Sequence, residues 1–149
     1  MKDTTSLHRK LQEYNDCFAE SDAAGELEKI SSTGISGDRM QNMTDLSLKY
    51  LSLAILAGVN QASEKIFFTR KGEQDGSCFL AGEDETRLPS PPTGVTREII
   101  SILRNITGLE PDKAFGTLTC GIRNDRLVMD VGVARAGERE TLSLTVLRQ

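Results

Sequence analysis

Tryptophan is missing from this chain of 149 residues, and aromatic residues of all kinds make up only 5%. That leaves little material for a base-stacking platform. Lys and Arg number 18 against 22 Asp and Glu, for a net charge of −4, and no basic block marks a nucleic-acid footprint. Long apolar runs are absent too. The longest, residues 51–59, is far short of the ~20 residues a membrane span needs. No apolar segment follows Met1-Lys2-Asp3-Thr4-Thr5, so no signal peptide is read there. The three cysteines, Cys17, Cys78 and Cys120, are odd in number and widely spaced. They form neither a disulfide framework nor a zinc cluster and are expected to be reduced thiols. His8 is the only histidine. With no nucleophile or second base beside it, it reads as a surface or capping residue.

Phosphate-loop chemistry is also missing. Lys71-Gly72 lacks the upstream glycine and the following hydroxyl of a Gly-x-x-x-x-Gly-Lys-Ser/Thr loop. Glu83-Asp84-Glu85 does not supply the spaced oxygens of a calcium loop and reads as a solvated turn. No catalytic residue, metal site or cofactor is therefore assigned.

What is present suffices for a packed core, with 38% hydrophobic residues. Leu7, Leu11, Tyr14 and Phe18 fall at helical spacing and predict a first helix. A short helix over 23–30 is expected next, inside a Ser/Gly-rich stretch of linker composition expected to be mobile. Leu46, Leu48, Tyr50, Leu51, Leu53, Ile55, Leu56 and Val59 predict a helix from about 42–44 to 61, apolar over so much of its girth that it is packed on several sides. Strands follow over 65–69 and 78–80, with turns at 71–76 and 82–85. The segment Pro89-Ser90-Pro91-Pro92 cannot be helix or central strand. Ile99, Leu103 and Ile106 predict a helix over 95–107. Strands over 115–122, 126–135 and 139–147 then form an antiparallel meander, with Leu142, Leu144 and Val146 alternating against Thr141, Ser143 and Thr145. The expected class is α+β: a mostly antiparallel sheet with helices on one face, an N-terminal helix and linker over 1–43, and the main domain over 44–149.

From about Leu46 onward the order of these signals resembles the N-terminal accessory domain, the second N-domain, of type II secretion and type IV pilus assembly ATPases. In that family a helix leads into an Ala-Ser-Asp-Ile-His-Ile strand. Ala62-Ser63-Glu64-Lys65-Ile66-Phe67 takes that place here. The family's proline-containing loop and helix ending in Gly-Leu correspond to 88–92, 99–103 and Gly108-Leu109. Its Gly-rich strand start, Asp-x-Arg-Val strand and Gly-Glu turn correspond to Phe115-Gly116, Asp130-Val131-Gly132-Val133 and Gly137-Glu138. The resemblance covers about 100 of the 149 residues; residues 1–43 lie outside it.

The departures bear on function. Ser77-Cys78-Phe79-Leu80 lacks the arginines that the family's first hairpin directs toward nucleotide; Gly132 replaces the Asp-x-Arg-Val arginine and Phe67 the histidine. The resemblance therefore implies a non-catalytic, cytoplasmic interaction or regulatory domain. Its expected partner is another secretion or pilus-assembly protein, or its own copy in a homo-oligomer, with no nucleic acid and no direct membrane insertion. Candidate contact residues are Arg123, Arg126, Arg135 and Arg139 at the hairpin tips, where guanidinium groups can grip a phosphate or a carboxylate surface or form ordinary charged surface. Pro89, Pro91 and Pro92 are a second set, rigid and cheap to order on binding. Three alternatives stay open. One is an N-terminal fragment of a longer secretion ATPase, which Met1 and the lost arginines disfavour. A small acidic secretion chaperone is disfavoured by a C-terminal strand. A small enzyme is disfavoured by the lone histidine.

Overall fold

A computed structural model describes residues 4–18, 22–33, 43–61, 63–71, 76–82, 85–89, 91, 94–107, 115–122 and 125–147. Three helices come first: α1 (Thr4–Phe18), α2 (Ala23–Thr33) and α3 (Met43–Asn60). The strands β1 (Lys65–Lys71), β2 (Ser77–Ala81) and β3 (Glu85–Arg87) follow, then α4 (Val95–Thr107). The strands β4 (Phe115–Ile122), β5 (Asp125–Ala136) and β6 (Arg139–Leu147) complete the chain. The six strands form one antiparallel sheet in the order β3-β2-β1-β6-β5-β4. The class is α+β, as the sequence pattern predicts.

Period-2 alternation gives the sheet one apolar face. Across it, Leu80, Ile66, Leu144 and Val131 are register partners in a row, and Cys78, Phe68, Leu142 and Val133 form the next. Seven of these eight are fully buried, and Val133 is partly so. The helices cover this face. α3 is the central one: Leu46 to Leu48 and Tyr50 to Gly58 are all buried, because α1, α2, α4 and β1 surround it. Its all-round apolarity therefore has the cause expected from sequence. α4 is conventionally amphipathic, burying Val95, Ile99, Ile100, Ile102 and Leu103. Glu98 in its first turn and Arg104 in its last suit the helix dipole. Thr44 donates to Glu98 at 2.9 Å and ties the starts of α3 and α4 together.

Residues N-terminal to the resemblance enter the same core. Leu11 of α1 and Leu27 of α2 are fully buried, and Tyr14 and Phe18 pack at its margin. α2 runs to Thr33. The stretch expected to be linker, 34–42, lies outside the described residues, as do Gly108-Leu109 and the turn residues 72–75.

The sequence pattern does not predict β3. Glu85-Thr86-Arg87 is three residues long with no apolar alternation, and its pairing with β2 is tertiary information. Gly76 reads as turn chemistry, yet positive φ belongs to Gly94 and Gly137 among the described glycines. Gly76 is needed for a close approach instead. A Cβ there would overlap the Thr96 side chain and lie 2.8 Å from the Thr69 carbonyl oxygen. Gly137, at φ 62°, opens the two-residue turn between β5 and β6.

Candidate contact surfaces

β5 separates the two arginine-bearing tips. Arg126 stands at its first turn and Arg135 nine residues on. At about 3.3 Å per residue they are ~30 Å apart, so the four candidate arginines cannot share one ligand. Arg126 and Arg139 are exposed. Arg123 and the side chain of Arg135 lie outside the described residues.

The β5–β6 end is the more structured of the two. Arg135 is the register partner of Glu140. Glu140 occupies the apolar phase of β6, ahead of Leu142 and Leu144, and its side chain is 9% exposed. A carboxylate so deep requires partners. Arg70 on β1 supplies Nε at 3.0 Å and Nη2 at 2.9 Å, both to Oε1. Arg104 on the last turn of α4 places Nη2 3.7 Å from Oε2. One carboxylate thus joins two guanidinium groups from different elements and fastens β1, β6 and α4 together. Among the described residues this cluster sums to one positive charge; exposed Arg139 and its register partner Lys71 lie in the outward phase, on the other face of the sheet. Sequence reasoning missed Arg70, Arg104 and Glu140. Only Glu140 carries a readable signal, a charge in the inward phase of a strand.

The proline segment is anchored. Pro91 is buried and Pro89 half-buried. The Pro89 carbonyl accepts from the Tyr50 hydroxyl beneath it. Pro92 lies outside the described residues. Pro89 and Pro91 thus lie against the core, with less surface to offer a partner than their residue type suggests. Burial pushes the Tyr50 hydroxyl well above its ordinary range, and the Cys78 thiol likewise. Cys78 is a neutral core thiol, and Cys17 is exposed. The side chains of Cys120 and His8 lie outside the described residues. Among the described residues, no group of three or more His, Cys, Asp or Glu is placed to hold a metal ion. None of the described helices is long and apolar enough to cross a membrane.

On the sheet face away from the helices, Phe67 and Phe79 are register partners and half-buried. Arg87 of β3 lies over the Phe79 ring at 5.7 Å and donates to Ser77 at 3.3 Å. Thr141, Ser143 and Thr145 continue the face on β6.

The third surface is an edge. On α1, Gln12 reaches the outer strand β4. Its Nε2 donates to the Gly121 carbonyl at 2.9 Å, and its Oε1 accepts from the Gly121 N–H at 2.7 Å. One side-chain amide satisfies both polar groups of one strand residue.

No protein-family model matches this chain, and no curated protein matches it in sequence.

Proposed function

We propose that this chain is a non-catalytic protein-contact module, related to the N-terminal accessory domains of type II secretion and type IV pilus assembly ATPases and working in the cytoplasm. The observation that carries the reading is the element order from α3 to β6: helix, three strands, helix, three strands. The resembling stretches fall on corresponding elements: Lys65-Ile66-Phe67 in β1, Asp130 to Val133 in β5, and Gly137-Glu138 in the last turn. Loss of the family's nucleotide-facing polar residues supports a contact role over a part in ATP hydrolysis. Its partner is another secretion or pilus-assembly protein, or a second copy of itself. The contact surface is the β5–β6 end, where Arg70 and Arg104 hold a single carboxylate on the helix side and exposed Arg139 stands on the other face, a cationic end that favours an acidic partner.

Calorimetry with ATP and magnesium at low salt tests the non-catalytic half, and no heat and no phosphate release are expected. Micromolar binding lost in Arg126→Ala would overturn it, in favour of a motor fragment that keeps a phosphate site. Co-sedimentation with a purified secretion or pilus ATPase tests the contact half. Binding should weaken at least about tenfold in Arg139→Glu, an exposed position whose reversal leaves the core intact. Equal binding by both forms would remove the β5–β6 end from the interface.

A further inference from the structure

The sheet face away from the helices gathers cations that the sequence scatters. Its outward phase holds Lys65 and Lys71 of β1, Arg87 of β3, Arg126 of β5 and Arg139 of β6, all exposed. Against these five stand two exposed acids, Glu85 and Asp130. Five against two leaves this face at +3 among the described residues, on a chain whose net charge is −4. The two acids share one row, in which Glu85, Ala81, Lys65, Thr145 and Asp130 are successive register partners. From the next row, that of Phe67, to the row of Lys71, no described strand residue on this face is acidic. That half of the face has an apolar centre, the half-buried register partners Phe67 and Phe79. Arg87 stands over the Phe79 ring at 5.7 Å. Lys71 and its register partner Arg139 lie four residues along from Phe67, ~13 Å away. Neither has an ion-pair partner among the described residues. Between the two cationic positions Thr69 pairs in register with Ser77 and Thr141, so that the intervening row offers hydroxyl groups.

We infer that this outward face docks an acidic segment of a partner protein. One apolar side chain of the segment seats on Phe67 and Phe79, and its carboxylates reach Arg87 on one side and Lys71 with Arg139 at the end. Guanidinium groups take carboxylates in a two-pronged fork, and complementary charge sets the register of the segment. Single-stranded nucleic acid fits less well. Arg87 already lies over the Phe79 ring, one of the two rings on which bases would stack. The net charge of −4 also repels a phosphate strand wherever it runs beyond the face. The inference rests on the reading of the chain as a contact module and deepens it, by naming one face and the chemistry of what it takes.

Fluorescence anisotropy on the full chain tests it, with a labelled peptide Leu-Ser-Glu-Ser-Glu-Glu and its neutral counterpart Leu-Ser-Gln-Ser-Gln-Gln. The acidic peptide places a carboxylate four residues from its leucine, the span from Phe67 to Lys71. It should bind at least about tenfold more tightly than the neutral peptide at low salt, and lose that advantage at about 1 M salt. Lys71→Gln/Arg139→Gln, at two exposed positions, should weaken the acidic peptide about tenfold. Phe67→Thr, which keeps a strand former in place, should weaken it by a similar factor. Should Phe67→Thr fold poorly, Phe79→Thr replaces the other ring and the same loss is expected. Equal affinity for the two peptides would overturn the acidic partner. Binding that survives both the Lys71→Gln/Arg139→Gln and the phenylalanine variants would overturn this face as the site. A uridylate decamer bound more tightly than the acidic peptide would overturn a protein segment as occupant, in favour of single-stranded nucleic acid. Heat with ATP overturns the contact-module reading and leaves these titrations as they are. Failure of the peptide to bind, while the secretion ATPase still co-sediments, overturns this inference alone.

Discussion

At one border of the sheet lies β3, three residues long, with Glu85 and Arg87 flanking Thr86. At the other lies β4, eight residues long and uncharged. β3 protects itself by being short and charged, and Leu88 closes it by donating to the Cys78 carbonyl at 2.9 Å. β4 has no such device in its own sequence, and at Gly121 its outer polar groups are met by Gln12 of α1. An edge defended by its own residues stays defended while the sheet is folded. A bond supplied by a helix, as at Gly121, lasts only while that helix is docked.

Substitutions that undo one defence and spare the other sharpen this contrast. The largest effect is expected for Leu11→Ala, which empties a fully buried site under α1. It should cost about 3 kcal/mol in urea unfolding and increase self-association. Leu88→Ala, beside β3, should cost a comparable amount without changing the mass. Self-association in both variants would show that general loosening exposes β4, and the distinction between the edges would fail.

Alkaline pH acts next, from below β2. Cys78 and Tyr50 are buried as neutral groups, with folded values raised above their ordinary 9.0 and 10.0. Below pH 9 both folded and unfolded chains hold these protons, and the stabilising contribution is complete. Above it the unfolded chain releases protons that the folded chain retains, so stability falls. The slope approaches about 1.4 kcal/mol per pH unit for each group. Urea midpoints at pH 8 and 10.5 measure it. Cys78→Ala should flatten the part of the decline that begins near pH 9.

Gln12→Ala should cost about 1 kcal/mol, since it removes two hydrogen bonds at a partly buried site. The smallest change is expected on removing the β3 charges. Glu85→Thr with Arg87→Thr should stay within about 0.5 kcal/mol and leave the mass unchanged, because three residues offer too short a ladder. Dimerisation of that variant would show that charge, not length, guards β3.

The sequence makes the elements with strong periodicity legible: the Leu11–Phe18 face of α1, the broad stripe of α3, the amphipathic α4, and the alternation in β6. It hides what depends on distant partners. Gln12 and Gly121 meet across 109 positions, and nothing local to Gln12 announces a strand surrogate. Arg126 and Arg139 are legible as exposed cations, but the buried Glu140 that joins Arg70 to Arg104 is not. Its pairing depends on β1 and β6 being neighbours. The prolines are legible as a rigid segment, but the burial of Pro91 and the bond from Tyr50 to the Pro89 carbonyl depend on distant partners and are not.

That neighbour relation carries a kinetic consequence. β1 and β2, and β4, β5 and β6, are neighbours in sequence as well as in the sheet, with few residues between paired strands. Among the described strands, the β1–β6 ladder, from Lys65↔Thr145 to Lys71↔Arg139, is the pairing that joins them. Closing it requires positions 68 and 142 to meet, with the entropy of a long loop lost before those contacts form. Folding should therefore wait on this seam, with the two halves preformed. Substitutions at Phe68 or Leu142 should slow folding, while those at the β4 edge mainly hasten unfolding.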